Sequence, residues 1–233
     1  MRTTYNPGRV AGFWYLLLIV LGPLRLMYIP RKLFVSGDAA ATVRNIATHE
    51  TLFKAGIIVD LAGVVVLVLM TLAFYKLFAQ VDRHLALQVV AFGGIMPALI
   101  HFAGVVSDLA ALMVVRGADF LAVFSKDQQD ALAILFLKLR NHENTAAEIL
   151  WGVWLFPLAI LIYRSRFAPR FLSVWLTLAG LGWIALSVTA VLWPASYETL
   201  LRNAQPALVG EVALTLWLVI KGAKTAAVHD AAA

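Results

Sequence analysis

Six stretches of nearly unbroken apolar residues run along the chain: about Val10–Ile29, Ala55–Tyr75, Leu85–Val115, Ala146–Tyr163, Phe171–Trp193 and Pro206–Ile220. Crossing a bilayer as a helix takes about 20 apolar residues at a rise of about 1.5 Å each. The pattern therefore predicts six membrane-spanning helices, with residues 1–233 forming a single transmembrane domain. The first stretch follows Arg2 and Arg9 as a signal peptide would, but no small-residue cleavage site comes after it. The apolar pattern resumes beyond Gly22, Pro23 and Arg25, so a retained helix is expected.

The polar connections carry their own helix signals. Asp38 is placed to cap a helix over Ala39–His49 that merges into the second span. Ser125-Lys-Asp-Gln128 has the form of a capping box, ahead of an amphipathic stretch with Leu132, Leu135, Phe136 and Leu139 on one face. A continuous helix from Lys126 to Tyr163 would be roughly 57 Å long, which predicts a break near Asn141-His-Glu-Asn144 and an outer segment lying along the surface. Pro194 should end the fifth span and Gln205-Pro206 begin the sixth.

Composition adds the exclusions. Hydrophobic residues make up 62% of the chain and charged residues only 14%, too apolar for a soluble surface or a disordered chain. With no cysteine, disulfides, thiolate metal sites and a cysteine nucleophile are ruled out. The net charge of +6 comes from the placement of loop cations, and no nucleic-acid partner is expected. With the N-terminus inside, the inner segments hold Arg2, Arg9, Lys76, Arg83, Arg164, Arg166, Arg170, Lys221 and Lys224 against only Asp82 and Asp230. Basic short loops stay cytoplasmic, which predicts that both termini are cytoplasmic.

The fourth and sixth spans share a pattern. Glu148-Ile-Leu-Trp-Gly-Val-Trp154-Leu155 matches Glu211-Val-Ala-Leu-Thr-Leu-Trp217-Leu218 in the spacing of acid and Trp-Leu. Asp60 with Tyr75-Lys76 in the second span parallels Glu148 with Tyr163-Arg164, pointing to three pseudo-repeated helical hairpins. Together with Arg9-Val-Ala-Gly-Phe-Trp-Tyr-Leu, Ser36-Gly-Asp-Ala-Ala-Ala-Thr42 and Trp154-Leu-Phe-Pro-Leu158, these segments resemble the six-span bacterial membrane proteins grouped as domain of unknown function 4386. The resemblance covers nearly the whole chain. It implies a bacterial cytoplasmic membrane location and carries over no catalytic or binding residue.

The informative residues are the ionisable ones inside the spans. Counted from the inner boundary, Arg25, Asp60, His101 and Glu148 lie roughly 24 Å up, and Glu211 about 15–20 Å. All five are expected in one polar layer in the outer half of the bilayer, and such residues face the bundle interior. Three acids against Arg25 as the only cation would call for a protonated carboxyl or a bound cation. His101 and Asp108, seven apart on one helix face, and the outer pairs His49-Glu50 and His142-Glu143 could with Asp60 and Glu148 offer nitrogen and oxygen ligands to a divalent metal. No nucleotide loop, hydrolase elbow or H-E-x-x-H motif is present, and no resident cofactor is expected. Three functions stay open: binding or transport of a small cationic or lipid-like ligand coupled to carboxylate protonation, an intramembrane metal-dependent lipid hydrolase, and a structural or sensory subunit held together by the ion layer.

Overall fold

The structure is a computed structural model, and it describes residues 6–223. Arg2, Lys224 and Asp230, used above to orient the chain, lie outside the described residues. The described residues are almost entirely helical: α1 (Pro7–Pro23), α2 (Ile29–Leu33), α3 (Ala39–Thr48), α4 (Glu50–Phe78), α5 (Arg83–Val90), α6 (Met96–Val115), α7 (Lys126–Val153), α8 (Leu155–Ser165), α9 (Arg170–Leu192) and α10 (Tyr197–Ile220). One-turn π segments join α1 to α2 at Leu24–Tyr28 and α5 to α6 at Ala91–Ile95. Six helical stretches are long and apolar enough to span a membrane: Pro7–Leu33, Glu50–Phe78, Arg83–Val115, Lys126–Ser165, Arg170–Leu192 and Pro194–Ile220. The fold is thus an all-α membrane protein with six spans.

Local sequence explains the helix ends. The Asp38 side chain accepts from the Ala41 N–H at 2.8 Å and caps α3. The capping box forms in full: the Ser125 N–H donates to Gln128 Oε1 at 2.9 Å, and the Gln128 N–H donates to Ser125 Oγ at 3.4 Å. Two expectations are corrected. The helix α7 runs unbroken through Asn141–Asn144, and the irregularity falls at Trp154. Pro157 has no N–H to give the Val153 carbonyl, which is where α7 stops. The sixth span begins at Pro194, ahead of the expected start, and Pro206 lies inside α10.

The chain divides into two compact units. Among the described residues the first comprises 6–19, 65–98 and 145–223. Its core gathers Tyr15, Phe74, Phe78, Trp154, Leu155, Leu158, Ile162, Leu176, Leu214 and Leu218. Small residues let its helices approach: a Cβ on Gly152 would meet the Gly180 carbonyl oxygen at 2.4 Å, and one on Gly93 would strike the Trp154 ring at 2.6 Å. Between lipid-embedded helices such close packing, rather than water release, supplies the cohesion. Arg164 Nη1 donates to Asp82 Oδ2 at 2.7 Å, tying the turn after α4 to the end of α8. The Leu85 N–H first, then Arg164 and the His84 N–H, hold the Asp82 carboxyl below its ordinary range against a smaller opposing effect of burial. Gly8 N–H donates to the Ala223 carbonyl at 3.0 Å, so the two ends of the described chain meet.

The second unit comprises Val20–Val64 and Leu99–Asn144. Ile29, Leu33, Ile46, Phe53, Ile57, Val105, Leu112 and Leu137 form its main core, and Val43, Val114, Leu121 and Ala133 a smaller one. Asn45 Nδ2 donates to the Leu33 carbonyl, and Thr42 Oγ1 bonds to the Val35 backbone, fixing α3 against α2. Glu50 joins Lys54 and Arg116 at 2.5 Å each.

Candidate functional site: a buried charge quartet

Arg25 reaches the interior of the second unit because its helix is irregular there. Beyond Pro23 the Ile29 N–H bonds back to the Leu24 carbonyl, a π turn that adds a residue and rotates the faces that follow. Arg25 is buried by this turn while Leu24, Leu26, Met27 and Tyr28 stay exposed. On α6, His101, Gly104 and Asp108 share a face through helical spacing. On α7, Arg140, Glu143 and Asn144 fall within one turn of each other.

Arg25, Asp108 and Arg140 form a quartet with Asp60 of α4, in which each arginine touches both aspartates. Arg25 Nε lies 2.6 Å from Asp60 Oδ2, and Arg25 Nη2 donates to Asp108 Oδ2. Arg140 Nη2 is 3.0 Å from Asp60 Oδ2, and Arg140 Nε is 3.4 Å from Asp108 Oδ2. Asp108 has no exposure, and Arg25 and Arg140 have 6% each. Ser107 Oγ donates to Glu143 Oε1 at 2.9 Å, adding a third carboxylate within a turn of Arg140. Glycine at position 104 leaves room for Arg140 in this position, since a Cβ there would sit 2.8 Å from Arg140 Cδ.

A cavity of about 60 Å³ adjoins the quartet, lined by Arg25, Asp108, Arg140, Asn141 and Asn144 on its polar side and by Leu26, Pro30, Phe34 and Leu137 on its apolar side. Two acceptors of the lining residues, Asp108 Oδ1 and Asn144 Oδ1, and one donor, Arg140 Nε, are buried without a hydrogen-bond partner. Buried polar atoms are rarely left so.

The predicted site residues fall in two groups. Arg25, Asp60 and His101 belong to the second unit and Glu148 and Glu211 to the first. His101 is partly buried, and Arg140, Asp60 and Arg25 are the charges that act on it. The premise that Arg25 is the sole cation is corrected by Arg140. Asp108, expected beside His101 as a metal ligand near the outer interface, is instead engaged by two guanidiniums, which occupy one of its oxygens. Among the described residues no three His, Asp or Glu side chains converge in a metal-binding arrangement. Glu148 accepts from Tyr197 Oη at 2.6 Å. Glu211 accepts from Trp183 Nε1 at 2.6 Å and from Tyr15 Oη. Sequence reasoning missed Arg140 and weighed Glu143 only as a metal ligand; the signal was the polar run Arg140–Asn144 inside an otherwise amphipathic helix.

The family model for the domain of unknown function DUF4386 matches residues 10–222. The chain belongs to this family. The match takes in every member of the quartet, the cavity and both buried glutamates. No curated protein and no solved structure matches the chain.

Proposed function

We propose that this DUF4386 protein binds a small cationic or lipid-like ligand, entering ammonium group first, at the Arg25–Asp60–Asp108–Arg140 quartet. The carrying observation is the pair of unpartnered acceptors, Asp108 Oδ1 and Asn144 Oδ1, among the residues that line the cavity. An ammonium supplies three donors and no acceptor, the chemistry that unpartnered acceptors call for. Charge favours the same class. With Glu143 counted, three carboxylates stand against two guanidiniums, and a bound cation removes the excess. About 60 Å³ holds roughly four waters at about 15 Å³ each, the size of a small polar head with its tail against Leu26, Pro30, Phe34 and Leu137. In a transport role, protonation of a carboxyl would accompany exchange of the cation.

The membrane is read as a bacterial cytoplasmic one, with both termini and the Ala79–His84 loop on the cytoplasmic side, from the basic short loops. A structural role is the second reading, and the mutual contacts of two arginines with two aspartates favour it: such a quartet fixes helix register without any ligand. The metal-dependent hydrolase reading gains no support from a quartet whose aspartates face arginines.

The test is thermal unfolding of the purified protein in detergent, alone, with ethanolamine, and with phosphatidylethanolamine or phosphatidylglycerol added to the micelles. A rise in midpoint with ethanolamine or phosphatidylethanolamine, absent with phosphatidylglycerol and lost in Asn144→Leu, supports ligand binding. The arm that responds tells a free amine from a lipid headgroup. No response in either amine arm leaves the structural reading.

A further inference from the structure

Glu148 and Glu211 both lie in the first unit and both accept a tyrosine hydroxyl, yet their carboxyls are surrounded differently. Both oxygens of Glu211 have donors, Tyr15 on Oε2 and Trp183 on Oε1, and the residue is partly buried. Glu148 is 3% exposed. Tyr197 Oη donates to its Oε1, while Oε2 is buried with no partner. Among the described residues neither acid forms a salt bridge with a lysine or arginine.

A carboxylate at Glu148 would carry full charge inside a spanning helix on one hydrogen bond, with half of that charge on a buried oxygen that no donor reaches. A bare charge is far costlier to bury than a bare hydroxyl. The proton is also the cation that needs no cavity to hold it. We propose that Glu148 is a proton-binding site that carries its proton on Oε2 and exchanges it with water, Tyr197 being its positioning residue. On release the Oε2–H bond breaks, the proton passes to a water molecule to give hydronium, and the electron pair stays on the carboxylate. The Tyr197 hydroxyl holds the carboxylate in place through Oε1 and gives up no proton of its own.

The titratable group acting on Glu148 from a packed element is Tyr197 of α10, itself beside the exposed Glu198. On its own helix, Trp151 stands one turn along and meets the Trp183 ring edge-on at 5.2 Å. Trp183 of that pair donates to Glu211, so Glu211, with two donors, is the fixed acid and Glu148, with one, the exchangeable one. This inference goes beyond the ammonium reading and does not depend on it.

Infrared difference spectra of the full-length protein between neutral and alkaline pH, with no amine present, test it. A protonated-carboxyl C=O band should titrate in the parent and in Glu211→Gln and be missing from Glu148→Gln. In Tyr197→Phe the band should remain and move in frequency, because the hydrogen bond on Oε1 is gone. A band that persists in Glu148→Gln, or no titrating band in the parent, overturns the proposal. Should Glu148→Gln not fold, an unmoved band in Tyr197→Phe overturns it equally.

Discussion

Arg140 Nη2 lies 3.0 Å from Asp60 Oδ2 across eighty positions of sequence, and with this contact the buried charges of the second unit close into a quartet. Each aspartate has two cations and each cation two aspartates, so removing one arginine leaves two buried aspartates to share a single cation. Breaking a buried pair from one side costs about 3–5 kcal/mol. Arg140→Leu and Arg25→Leu should therefore lower the thermal midpoint in detergent far more than Lys138→Leu, which removes an exposed charge from the same helix as Arg140. Equal midpoints for Arg140→Leu and Lys138→Leu would contradict the quartet.

Gly104 gives a steric version of the same test. A methyl at this position falls on Arg140 Cδ at 2.8 Å and near Arg140 Nε at 3.0 Å, so Gly104→Ala should destabilise by about 1–3 kcal/mol through overpacking. At Gly63 the added Cβ meets open space. Gly63→Ala should be neutral or stabilise by up to about 1 kcal/mol, as for an ordinary helix-interior glycine. Denaturant titration of the two variants reads the difference.

Asp82 sets an acid limit on the first unit. Its carboxyl is held below the ordinary value by the Leu85 N–H and Arg164. A carboxylate lowered in the folded state contributes stability above its unfolded value and loses it as pH falls through the folded one. Between neutral and acid pH the thermal midpoint should fall less in Asp82→Asn than in the parent. The variant should be less stable at pH 7 and approach the parent below the carboxylate range. A constant offset at all pH values would remove Asp82 from the acid response.

Orientation is tested by labelling. The chain has no cysteine, so single replacements report cleanly. Cysteine at the exposed Lys126 should react with an impermeant maleimide in intact cells, and cysteine at Arg166 should react only after lysis. The reverse pattern would invert the topology.

The six spans, the Asp38 cap and the Ser125–Gln128 box were legible because each is set by residues close in sequence. Hydrophobic runs and capping side chains act within one helix or one turn. The quartet was only half legible. Arg25 and Asp60 stood out as charges in apolar runs, but Arg140 sits among leucines and polar residues that read equally well as a surface helix. Only the neighbours of α7 in the folded chain decide that its polar run faces inward. The same ambiguity misplaced the break in that helix. Polarity at Asn141–Asn144 looked like a solvent-exposed bend, whereas the missing donor at Pro157 is what interrupts the hydrogen bonding. Asp108 was assigned by its spacing from His101 alone, and spacing does not say which side chains from other helices arrive first. Pro206 was taken as a helix start, the commoner place for proline, although α10 carries it internally.

The claim at the centre of this account is that the cavity beside the quartet is a binding site for an ammonium group. Isothermal titration of ethanolamine into the purified protein measures this directly. A saturable heat with one-to-one stoichiometry in the parent, abolished in Asn144→Leu while that variant keeps the parent's unliganded thermal midpoint, is the predicted result. Absence of saturable heat in a folded parent, or the same isotherm in parent and Asn144→Leu, would contradict it.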